Sequence, residues 1–114
     1  MIAISKTILL PFQIIRADTF WKRLTGLSGH KGPLINKGLH LIPCNSIHMF
    51  FIRHPIDVIF LNKSNRVIKT ISYLRPWRVV PPVKNAHSTL ELPLGTVKAE
   101  KIRVDDTIQM NYLN

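Results

Sequence analysis

The chain has 114 residues, 46% of them hydrophobic, a length that fits one domain and an apolar supply that excludes intrinsic disorder. Its formal net charge is +10, from 16 Lys and Arg against 6 Asp and Glu, so its surface attracts anions. The single cysteine, Cys44, excludes an intramolecular disulfide and leaves stability to packing.

Thr7 to Ile15 is predicted as a strand, with Pro11 at an edge or a bulge because it cannot donate to a ladder. The N-terminal apolar run from Met1 to Arg16 is broken by Lys6, Pro11 and Gln13, so neither a signal peptide nor a membrane-spanning helix is expected. Asp18 can cap a short helix from Thr19 to about Thr25, with Phe20, Trp21 and Leu24 sharing a face. Gly26 and Gly29 end it, and the glycine-rich stretch 28–38 is a loop. Leu39 to Ile42 is a short strand. Ile47 to Ile52 and Ile56 to Leu61 follow, joined by Arg53-His54-Pro55, a spacing that suits a hairpin. Asn62 to Asn65 is a polar turn, and Arg66 to Leu74 is the next strand. Arg75 to Lys84 is proline-rich and extended, and it carries Trp77. Ala86 to Leu92 is a strand with Leu90 and Leu92 on one face and Glu91 on the other. Thr96 can cap a helical turn to about Lys101, and Thr107 to Tyr112 closes the chain.

Short strands separated by Gly and Pro turns indicate a mainly β protein. The expectation is one compact antiparallel β-sandwich or barrel over residues 1–114, with one or two short helices. The continuous apolar run Val58 to Leu61 points to a central strand covered on both faces.

Several blocks in this order resemble the family named domain of unknown function 192. They are Lys22-Arg-Leu-Thr-Gly-Leu27, Ile47-His-Met-Phe-Phe-Ile52, Pro55-Ile-Asp-Val-Ile-Phe-Leu61, Arg66-Val-Ile68, Arg75-Pro-Trp-Arg78 and Leu90-Glu-Leu-Pro-Leu-Gly95. The likeness runs from about Lys22 to Met110. It implies a mainly β domain of sandwich type and no particular activity. Many relatives carry Trp-Met-x-Asn where this chain has His48-Met-Phe-Phe51. They usually carry Gly-Asp where it has Asp105-Asp106, so the turn before the last strand is a place where this chain departs from them.

Asp57 lies among Ile56, Val58 and Ile59, and a carboxylate there is costly unless paired. If the two segments around Arg53-His54 form a hairpin with Phe50 opposite Asp57, then His48 and Asp57 are diagonal neighbours on one face. Such a contact would orient the imidazole as a general base. The alternative is that Asp57 accepts from backbone amides of the turn. Cys44 beside His48 would form a nucleophile pair only if the imidazole activates the thiol; otherwise Cys44 is a small core residue. Glu91 lines a groove or pairs with one of the many basic side chains. Trp77 and Arg78 share a stiff loop, and a guanidinium beside an indole binds carboxylate, phosphate or a sugar face; the alternative is that Trp77 caps the core.

No metal centre or cofactor is assigned, because the ligand spacings of known centres and the phosphate-binding glycine motifs do not occur. The favoured function is a binding or accessory domain that recognises an anionic or polar ligand through His48, Asp57, Trp77, Arg78 and Glu91. One alternative is a small hydrolase using Cys44, His48 and Asp57. Another is nonspecific nucleic-acid binding, possible but not favoured because the basic residues form no stripe with interleaved aromatics. A lone cysteine suits the cytoplasm.

Overall fold

The computed structural model describes residues 4–17, 36–50 and 52–113. Among the described residues eight strands run in chain order: β1 (Thr7–Ala17), β2 (Lys37–Leu41), β3 (Ile47–His48), β4 (Ile56–Leu61), β5 (Val67–Leu74), β6 (Val79–Val80), β7 (Ser88–Leu92) and β8 (Thr107–Tyr112), with the short helix α1 (Thr96–Ala99) between β7 and β8. The protein is mainly β, as expected. The helix foreseen at 19–25 lies outside the described residues. Among the described residues no helix is long and apolar enough to cross a membrane.

Six strands form one sheet in the order β5-β4-β7-β2-β1-β8, and β3 pairs with β6 in a separate small sheet. β4 is central, lying between β5 and β7, and all six of its residues are buried. The antiparallel expectation holds for β2–β7, β4–β5, β4–β7 and β3–β6. It fails at β1, which runs parallel to both β2 and β8. Parallel neighbours need a long connection, and residues 18–36 supply one between β1 and β2. Pro11 falls where the β1–β8 register shifts, between Leu9 and Gln13, so the missing N–H is absorbed by a bulge.

The two sheet edges meet at one place. Arg66 bridges Thr107, and backbone bonds run from Val67 N to Asp106 O (2.8 Å) and from Ile108 N to Asn65 O (2.9 Å). The sheet therefore curls but does not close into a barrel. Its inner face holds Leu10, Ile14, Ile59, Leu61, Leu90, Leu92 and Ile108, plugged by Val97 of α1. Its outer face holds Leu39, Leu41, Ile56, Val58 and Phe60, covered by Ile47, Met49 and Val80 from the β3–β6 arm. Because alternate residues of a strand point to opposite faces, β4 feeds both cores.

Asp106 fastens the seam. Its carboxylate accepts from the Lys6 amide (3.0 Å), the Lys6 ammonium (2.9 Å) and the Arg103 amide (2.9 Å). Burial works against the charge, but these donors outweigh it and hold the Asp106 carboxyl below its usual range. Asp105 has φ 77°, a left-handed conformation that glycine takes freely. Asp105→Gly is expected to raise stability by about 0.5 kcal/mol in urea unfolding, because relief of left-handed strain of about 1 kcal/mol exceeds the entropy glycine loses; a loss of stability would mean that the Asp105 side chain has a role of its own.

Candidate functional site

The residues expected to share one surface are distributed over three places. His48 lies on β3, whose partner is β6, with Ile47 opposite Val80 and His48 opposite Val79. The foreseen hairpin between 47–52 and 56–61 does not form, because both hydrogen-bonding edges of β4 are taken by β5 and β7. His48 and Asp57 are thus not cross-strand neighbours. The His48 side chain is exposed, and its ring lies against Phe50 with centroids 4.9 Å apart.

Phe50 in turn leans on Trp77, at 5.8 Å between centroids. These three rings make a continuous exposed ridge on the arm, with Trp77 60% exposed and Phe50 40% exposed. The backbone beneath is tied down: Met49 N donates to Arg78 O (2.7 Å) and Trp77 N to Met49 O (2.8 Å). Trp77 holds φ 65°, a left-handed conformation unfavourable for a bulky side chain. The register of the arm compels it and keeps the indole outside, so Trp77 does not cap the core. Arg53, Arg75 and Arg78 are exposed around the ridge. A cleft of about 430 Å³ opens between Arg53, Ile52, Pro76 and Trp77.

Asp57 is 1% exposed and belongs to the interior. Its Oδ2 accepts from Val97 N (2.9 Å) and its Oδ1 from Tyr73 N (3.1 Å). The backbone-amide alternative is the one seen, with donors from α1 and β5 rather than from the turn beside it. Glu91 sits on the opposite face of the sheet, since Asp57 pairs with Leu92 and Val58 with Glu91. It is 4% exposed, lies between Leu39 and Val58 in register, and its Oε2 has no hydrogen-bond partner. The expected salt bridge is absent: among the described residues the ion pair is Lys6–Asp106. Burial pushes the Glu91 carboxyl up to about 8, so it is mainly protonated at neutral pH.

Cys44 is half-buried, and its thiol donates to Ser46 O at 2.9 Å. Its backbone N–H bonds to His87 O (2.9 Å), so its histidine neighbour is His87. Among the described residues no three His, Cys, Asp or Glu side chains gather as a metal-ligand set.

A buried polar cluster lies beyond the residues singled out from sequence. His40 of β2 has Nδ1 2.8 Å from Tyr112 OH and Nε2 2.8 Å from Ser88 Oγ. The Arg16 guanidinium lies 5.4 Å over the Tyr112 ring. Burial lowers the His40 pKa to about 4, helped by Arg16 and His87, while burial raises Tyr112 against the opposing pull of Arg16. His40 stands between Leu39 and Leu41, an alternation that by itself places the imidazole on the solvent side, so the sequence carried no signal for its burial. Ser88 is only 1% exposed, so this serine–histidine contact is internal and closed to substrate. Phe50 was also missed, although His48 and Phe50 stand two apart on an extended segment, the spacing that puts them on one side.

The described residues thus form a mainly β fold in which a curled sheet carries a covering arm, and the arm bears an exposed aromatic ridge. The chain belongs to the DUF192 family (Uncharacterized ACR, COG1430), which it matches over residues 2–110. It is 32% identical over 118 residues to a UPF0127 protein of Pyrococcus furiosus, covering 99% of each chain. It is 38% identical over 98 residues to a UPF0127 protein of Thermococcus sibiricus, spanning 81% of this chain and 62% of that one. Its fold resembles the crystal structure of a protein of unknown function from Novosphingobium aromaticivorans, with a TM-score of 0.74, 20% identity, and coverage of 84% of this chain and 73% of that one.

Proposed function

We propose that this protein is a binding domain whose contact surface is the His48–Phe50–Trp77 ridge with Arg53 and Arg78, and whose ligand is anionic or polar with a flat face. The observation that carries this reading is Trp77, exposed over more than half its surface yet held in a left-handed backbone by two main-chain hydrogen bonds of the arm. An aromatic with no role outside would be cheaper in the core or in a relaxed conformation. Indole and phenyl faces offer stacking area, and flanking guanidinium groups offer paired donors to carboxylate or phosphate. A sugar ring bearing such a group satisfies both. Asp57 and Glu91 are left out of the contact surface because they are buried.

The test is calorimetric titration with uronic-acid oligosaccharides, backed by tryptophan emission. Trp77→Ala is expected to weaken binding about tenfold, equivalent to ~1.4 kcal/mol, with the unfolding midpoint unchanged. If none of these compounds binds, or Trp77→Ala binds as well as the parent, the ridge is not the contact surface. Binding that falls steeply with salt and ignores Trp77→Ala would instead mark general attraction of polyanions.

A further inference from the structure

We propose a second ligand site, sharing no residue with the ridge: a trough centred on His87 that takes a phosphomonoester group. Two clefts meet there. One, of about 300 Å³, lies between the Pro43–Asn45 corner and His87. The other, of about 440 Å³, lies between the Asn62–Ser64 turn, Asn85 and His87. Both are walled by Ala86 and His87, so the two spaces adjoin at one pair of residues.

The walls come from three separate segments stitched together by backbone bonds. His87 N donates to Leu61 O (2.7 Å), Cys44 N to His87 O (2.9 Å) and Val83 N to Asn45 O (2.8 Å). Thr89 Oγ1 adds a bond to Cys44 O at 2.9 Å. A site framed this way loses little freedom when a ligand enters.

The lining has a one-sided chemistry. It contains no carboxylate. The acceptor oxygen of Asn62 is already occupied by Ser64 N (2.9 Å) and Arg66 N (3.0 Å), which leaves its NH2 group as the part free to act. Lys63 brings an ammonium, Asn45 and Asn85 bring amide donors, Ser64 a hydroxyl and His87 a ring N–H. The Cys44 thiol is turned to Ser46 O and adds no reactive group. A trough rich in donors, carrying a cation and lacking acidic groups, matches a ligand with several acceptor oxygens and two negative charges. A phosphomonoester has three such oxygens, and the adjoining cleft leaves room for the group it is attached to.

Inorganic phosphate and glucose 6-phosphate are the probes, with glucose as the uncharged control. Binding is followed by calorimetry and by amide and asparagine side-chain NMR shifts. The expected result is saturable binding of at least one of the two phosphates, with shifts confined to residues 43–46, 62–65 and 85–88 and none from glucose. Tighter binding of the sugar phosphate assigns the trough to an ester; equal binding assigns it to free phosphate. Lys63→Gln and His87→Gln should each weaken binding about tenfold, and Trp77→Ala should leave it unchanged, which separates this site from the ridge. The proposal is overturned if neither phosphate saturates, if the two trough variants bind like the parent, or if Trp77→Ala removes the binding. Both substituted side chains lie outside the cores, and an unchanged unfolding midpoint verifies that each variant is folded.

Discussion

Stability is expected to be greatest between pH 4.5 and 6.5 and to fall on both sides, because two buried groups titrate in opposite senses. The Glu91 carboxyl is raised from 4.5 to about 8. Between those values the folded chain holds a proton that the unfolded chain has lost, so stability declines as pH rises, by ~1.4 kcal/mol per pH unit. Over the whole interval this single group removes on the order of 4–5 kcal/mol. The His40 imidazole is lowered from 6.5 to about 4. There the unfolded chain binds the extra proton, and stability declines as pH falls. Where the two intervals overlap, the slopes cancel and give a plateau. Above pH 6.5 Glu91 acts alone; below pH 4.5 His40 acts alone and is then joined by Asp106, whose depressed carboxyl loses its stabilising charge on acidification. Urea unfolding followed by circular dichroism from pH 4 to 9 measures the profile. Glu91→Gln should abolish the neutral decline and turn the plateau into a rise toward pH 6.5, whatever its effect on absolute stability. A parent profile that stays level from pH 6.5 to 8 would show that Glu91 is ionised in the fold and has found a partner.

Those two buried groups also show what the amino-acid sequence does and does not reveal. The run from Val58 to Leu61 has no polar face, which only a strand covered on both sides can tolerate, and β4 is that strand. Pro11 announced its bulge by its missing donor. Glu91 misled, because an abundance of basic side chains says nothing about whether one can reach a carboxyl walled by Leu39 and Val58. The Arg53-His54-Pro55 spacing suggested a hairpin, but spacing describes only the turn. Pairing was decided by competition: β5 and β7 occupy β4, and Ile47 and Met49 are used to cover Phe60 and Val58 from above. The parallel partners of β1 were equally hidden, since a strand's pattern reports which face is buried and not which neighbour lies beside it. Trp77 and Arg78 were legible as a pair in a stiff loop. The Phe50 ring that links Trp77 to His48 required the arm to be folded before it could be seen.

Asp57→Ala is expected to destabilise the protein by about 3–5 kcal/mol, the largest single-residue loss in the interior polar set. In the β4–β5 ladder Ile56 pairs with Leu74 and Val58 with Ile71, so Asp57 stands opposite two residues, Ser72 and Tyr73. That is a bulge, and Tyr73 within it holds φ 61°, leaving its N–H outside the ladder. The Asp57 carboxylate receives that N–H on one oxygen and the Val97 N–H of α1 on the other. One side chain thereby secures the strand that bounds the seam and the helix that plugs the inner core. Removing it orphans two backbone donors, each costing about 1–3 kcal/mol, and releases the strain at Tyr73 into the strand. Asp57→Asn keeps one acceptor and should lose roughly half as much. Denaturant midpoints at pH 5.5, inside the plateau, measure both without interference from Glu91 or His40. Because Asp57 lies apart from the ridge and the trough, any binding seen in the folded fraction of these variants should match the parent. A loss below 1 kcal/mol in Asp57→Ala, or a selective loss of binding with stability intact, would move Asp57 from the framework to the contact surface and revive the pairing with His48.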